Sequence, residues 1–115
     1  MSYEPPESPD WPYVVEEVLP RLGLWTGQAT YERAVCFIEG FDLATGGGMT
    51  PRLTEWSRAR YSDTNIGWPW VLIRLTLGTS PETLGGHDLG HLSETEDQAA
   101  RDLLAQALAE VLASS

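Results

Sequence analysis

Apolar side chains recur along this chain with the spacing of helices. Val15, Val18, Leu19 and Leu22 fall at i, i+3, i+4 and i+7, which puts them on one stripe of a first helix over about 11–22. Asp10 precedes it as an N-cap, Pro12 is tolerated in the first turn, Pro20 bends or shortens the end, and Gly23 stops it. Glu16 and Glu17 fall on the opposite side. A second helix opens after Thr30, with Glu32 in its first turn. Ala34, Phe37, Ile38 and Phe41 form its apolar stripe, and Gly46-Gly47-Gly48 ends it. Gly40 sits inside this helix at a cost of about 1 kcal/mol relative to Ala, which predicts close approach of another element. Thr50-Pro51 has the chemistry of a cap and first helical position. The third helix covers about 51–61, is expected to bury Leu53, Trp56 and Tyr61, and keeps Arg52, Arg58 and Arg60 at its surface.

Residues 67–77, GWPWVLIRLTL, combine helix and strand signals. Trp68, Leu72 and Leu75 share a helical face, whereas Val71, Ile73 and Thr76 favour a strand. A lone strand would have no partner elsewhere in the chain, so helix is preferred. Residues 79–92 are Gly-rich and loop-like. The last helix is the clearest: Ser93-Glu94-Thr95-Glu96 is a capping box, and Ala100, Leu103, Leu104, Ala107, Leu108, Val111 and Leu112 then repeat at helical spacing. The expected fold is all-α: a compact bundle of about five helices around a long C-terminal one. Residues 1–9 (MSYEPPESP) are expected as a flexible tail and 10–115 as a single helical domain.

Composition narrows the function. The chain has 115 residues, 17 acidic and 7 basic, for a net charge of −10. Every basic residue is Arg. Residues 1–20 carry five acids and no base, and residues 82–115 carry seven acids against Arg101 alone; the stretch between is nearly balanced. This charge argues against a nucleic-acid partner, whose phosphates require a basic face. No apolar run is long enough for a membrane span, and the first residues lack the pattern of a secretory signal. With one cysteine there is no internal disulfide and no Cys-based zinc site, and a cytoplasmic location is the expectation.

Candidate chemistry is sparse. His87-Asp88-Leu89-Gly90-His91 approaches the H-E-x-x-H pattern of zinc hydrolases, with Glu94 or Glu96 available as a third ligand. Gly85, Gly86 and Gly90 disfavour the helix that this chemistry needs, and Asp is one methylene shorter than the usual Glu. No metal or other cofactor is therefore assigned. Cys36, in an apolar helical stretch without an activating His, is expected as a buried small hydrophobe. Gly46-Gly47-Gly48 lacks the Lys of a phosphate-binding loop. Trp68 and Trp70 point to different helical faces, which makes Trp70 the better interface residue.

The run Tyr31–Gly47, YERAVCFIEGFDLATGG, followed by the Leu53–Trp56 helix and the turn between Asn65 and Trp68, is similar to small helical uncharacterised proteins of high-GC actinobacteria. Proteins of this size and acidity resemble immunity proteins of polymorphic toxin systems. The resemblance implies a non-catalytic inhibitor that neutralises a basic toxin or nuclease. Glu39 and Asp42 on the second helix, Trp70, and the acids Glu82, Asp88, Glu94, Glu96 and Asp97 around the Gly-rich loop and the last helix are the expected partner contacts. The alternatives are a metal-dependent hydrolase built on His87 and His91, and a self-associating structural or adaptor protein whose last helix pairs with its own copy as a homodimer.

Overall fold

The computed structural model describes residues 10–60, 67–77 and 92–114. Within them all regular structure is helical. An N-terminal helical segment spans 11–26, followed by α3 (Tyr31–Ala44), α4 (Met49–Arg60), α5 (Trp68–Leu77) and α6 (Glu94–Ala113). These five bodies form an all-α bundle. At 1.5 Å per residue α6 is about 30 Å long, and it packs against the N-terminal segment, α3, α4 and α5. Its inner stripe of Ala100, Leu104, Ala107, Leu108 and Val111 is buried. The capping box forms as predicted: Ser93 Oγ accepts from Glu96 N–H, and the Glu96 carboxylate accepts from Ser93 N–H.

The N-terminal segment is less regular than its periodicity suggests. Asp10 caps α1 (Trp11–Tyr13), its carboxylate accepting from Tyr13 N–H at 3.0 Å. A π-helical turn (Val14–Val18) and a 3-10 turn (Leu19–Arg21) follow, and then α2 (Leu22–Thr26). Pro20 has no N–H to give an ordinary i−4 carbonyl, and the ladder changes width around it. Val14, Val18 and Leu22 are fully buried, while Val15 and Leu19 pack at the edge of the core. Gly23 does not end the helix. The stop lies one turn later at Gly27, which adopts φ +85° and donates its N–H to Gly23 O.

Segment 67–77 forms the helix α5 from Trp68 onward. Trp68, Val71, Leu72, Ile73 and Arg74 are buried, whereas Leu75 is exposed rather than on the buried face with Trp68 and Leu72. α3 is capped by Thr30, whose hydroxyl accepts from Arg33 N–H. Its buried positions are Tyr31, Ala34, Val35, Ile38 and Asp42, so the stripe is rotated from the expected one and Phe37 and Phe41 lie at its margin. Tyr31 is wholly buried and its phenol donates to Pro69 O at 2.7 Å, tying α3 to α5. Burial first, and then the charge of Glu39, hold its pKa well above the usual tyrosine value. Two expectations for α3 are corrected. Cys36 is exposed, because two residues from both Ala34 and Ile38 is about 200° around the helix. Among the described residues nothing beyond its own helix stands within 4 Å of where a Gly40 Cβ would be, so none of them accounts for it.

Candidate interaction surface

The acids singled out in the sequence separate into those that hold the fold and those that face solvent. Asp42 belongs to the first group and is corrected as a partner contact, being only 3% exposed. It continues the stripe of Tyr31, Val35 and Ile38. Just beyond it Gly46 and Gly47 take φ of +111° and +77°, a reversal that side-chain-bearing residues rarely adopt. The chain folds back, and Met49 N–H and Thr50 N–H donate to the two Asp42 carboxylate oxygens at 2.7 and 2.9 Å. Asp42 thus caps α4 in the place expected for Thr50. Burial pushes the Asp42 carboxyl up, but the hydrogen bonds from Met49 and Thr50 outweigh it, and its pKa lies below the ordinary value.

Asp97 also has structural work. Its Oδ2 accepts from Tyr31 N–H at 2.9 Å and its Oδ1 from Arg101 Nε at 2.9 Å, so one carboxylate joins the starts of α3 and α6. Glu96 is engaged in the capping box. Glu94 and Glu39 are exposed. Trp70 is 38% exposed on α5. Glu82 and Asp88, with His87 and His91 and their hydrolase motif, lie outside the described residues, as do the 1–9 tail and Tyr61. Among the described residues, no three His, Cys, Asp or Glu side chains converge as a metal site would require.

Sequence reasoning missed a surface where the N-terminal segment meets α3. Five rings form a continuous path across it. Trp11 meets Phe41 edge-on at 4.8 Å between centroids; Phe41 stacks with Phe37 at 6.2 Å; Phe37 meets Trp25 at 6.5 Å; Trp25 meets Tyr13 at 6.2 Å and 90°. Such edge and offset geometries are the favourable ones for aromatic quadrupoles. Phe37 and Phe41 are one helical turn apart, and this brings both to the N-terminal segment, Phe37 to Trp25 and Phe41 to Trp11. Trp25, the fourth ring of the path, is 41% exposed, and Leu24 beside it is 84% exposed. An open groove of about 540 Å³ runs there, lined by Glu17, Arg21, Leu24 and Trp25. A helix that continues past Gly23 to Thr26 is what presents Leu24 and Trp25.

On α4, Arg52 donates to Val111 O and Arg60 pairs with Glu110 at 2.9 Å. The C-terminal carbonyl end of α6, which has no basic residue in its own last turn, thus receives its positive charge from α4. Arg60 also lies over the Trp56 ring, 3.8 Å from its centroid. Comparison with models of protein families, with curated proteins and with solved structures finds no match to this chain.

Proposed function

We propose that this chain is a non-catalytic binding protein that neutralises a basic protein, in the manner of an immunity protein holding a toxin or nuclease. The observation that carries the reading is the exposed pair Leu24 and Trp25, backed by the ring path. Exposed Leu at 84% loses stabilisation that burial against a partner would regain, and a Trp fixed by neighbouring rings loses little side-chain freedom on binding. The elements that build this surface carry more acids than bases: Asp10, Glu16 and Glu17 on the N-terminal segment and Glu32 and Glu39 on α3, against Arg21 and Arg33. With a net charge of −10 they would speed the approach of a basic partner, while the aromatic anchor would slow its release. The single cysteine, exposed on α3, suits a reducing cytoplasm.

The test is calorimetric titration of the full chain with the purified basic proteins encoded beside its own gene. One of them is expected to bind with a Kd below about 1 µM, weakening roughly tenfold as NaCl rises from about 50 to 300 mM. Leu24→Ala or Trp25→Ala should weaken it by about tenfold or more. Absence of binding by all of them, or a complex indifferent to salt and to both substitutions, overturns the proposal.

A further inference from the structure

We infer that the cavity between the N-terminal segment, α3 and α6 binds a small primary amine with an apolar body. None of its lining residues belongs to the groove at Leu24 and Trp25, so the site is separate from the partner surface proposed above. It holds about 330 Å³, at the lower end of the range of about 300–1,000 Å³ for small-molecule sites. Leu22, Ala34 and Leu104 line it, each fully buried. Val15 and Leu19 line it too and pack against the same core. The space has a local cause. Val15 lies in the π-helical turn and Leu19 and Pro20 in the 3-10 turn, where the backbone leaves the regular ladder, while Ala34 of α3 and Ala105 of α6 bring one methyl group each. Interruptions of this kind recur where helices form binding sites.

The polar part of the lining comes from α6 as Gln98, Arg101 and Asp102. Arg101 Nη2 donates to Gln98 Oε1 at 2.9 Å, and Gln98 Nε2 donates to Asp102 Oδ1 at 2.9 Å. Arg101 Nε donates to Asp97 at 2.9 Å, and Asp97 also accepts from Tyr31 N–H, so the row is anchored to α3. The Arg101 charge is thereby met by a carboxylate. The Asp102 charge is not: among the described residues its bond is to a neutral amide, and its Oδ2 takes none. An apolar interior with an unmatched carboxylate on its exposed rim selects a hydrophobic cation, because burial of the body supplies affinity and Asp102 sets the sign. An ammonium carries three donors on one compact head and bonds Asp102 Oδ2 without disturbing the Gln98 bond to Oδ1. A carboxylate of the same shape would meet Asp102 and, beyond it, a chain of net charge −10.

The experiment follows assigned methyl resonances of the full chain during titration with 2-phenylethylamine, 2-phenylethanol and 3-phenylpropionate, which share an apolar body and differ in the charge of the head group. The amine is expected to shift the Leu22, Ala34 and Leu104 methyls with a Kd below about 2 mM, the alcohol to bind at least about fivefold more weakly, and the acid more weakly still. Asp102→Asn keeps an acceptor for Gln98 and should bring the amine to the level of the alcohol, a loss of about fivefold or more. Glu55→Gln removes the same charge from an exposed position on α4, which contributes no wall to the cavity, and should change the amine Kd by less than about twofold. Ala105→Leu, at a half-buried position, should fill the space and abolish the shifts while the rest of the spectrum stays that of the folded chain. Methyls that do not shift, an alcohol or acid that binds as tightly as the amine, equal effects of Asp102→Asn and Glu55→Gln, or a folded Ala105→Leu that binds undiminished would overturn the assignment. The partner reading is tested through Leu24 and Trp25, so either one survives the failure of the other.

Discussion

Asp42 shows how one position can look like surface chemistry and be a structural clamp. Its two oxygens take the N–H groups of Met49 and Thr50, the first donors of α4, in a site that is 3% exposed. Asp42→Asn would place an amide N–H against one of those donors. A loss of about 1–3 kcal/mol is expected, from one broken charged hydrogen bond and one unsatisfied backbone donor. The effect also has a sign with pH. The folded pKa lies below the ordinary value of 3.8, so the contribution is present above that value and fades as pH falls through the lower, folded one. Denaturant unfolding of both proteins should therefore show a gap at neutral pH that closes only in strong acid; a gap of constant size would show that the carboxylate charge is not what matters. Sequence spacing alone contained the warning, since Asp42 continues the stripe of Tyr31, Val35 and Ile38 directly before three glycines.

Among the elements, those whose start is written locally were legible: the Ser93–Glu96 capping box, Thr30 and Asp10 all cap where their side-chain chemistry requires. The N-terminal segment was less so, because Pro20 changes the hydrogen-bond ladder without changing the spacing of apolar residues, and Gly23 is accommodated inside a helix that Gly27 ends. The ring path was not legible at all. Phe37 and Phe41 look like core, and only the docking of segment 11–26 against α3 brings Trp11, Tyr13 and Trp25 to them. Acids in one turn of α6 likewise differ by what they meet across the bundle. Asp97 holds Tyr31 N–H and Arg101, whereas Glu94 is exposed. Asp97→Ala should destabilise by about 1–2 kcal/mol, the range for a lost helix cap, and Glu94→Ala by less than about 0.5 kcal/mol. Thermal or denaturant unfolding of the two variants compares them directly, and equal losses would mean that proximity to the α6 dipole, not the bond to α3, governs both.

For the whole molecule, the charge that would attract a partner also opposes folding. Seventeen acids against seven arginines leave a net −10, and compacting a chain of one sign brings its charges together. Two of the ion pairs that offset this, Arg21–Glu17 and Arg60–Glu110, are widely exposed and contribute little that salt can remove. Raising ionic strength from about 0.01 to 0.15 M shortens the screening length from about 30 to 8 Å, which relieves repulsion between distant carboxylates more than it weakens contacts at 2.8–2.9 Å. The free chain should therefore melt about 2–4 °C higher in the saltier buffer, a shift of order 1 kcal/mol. The complex should respond in the opposite direction, because the same screening weakens its attraction to a basic surface. Melting curves of chain and complex across a salt series read both effects at once. A complex held by apolar contact alone would gain with salt as the free chain does, so the crossing of the two trends is what ties the acidity of this molecule to binding rather than to solubility.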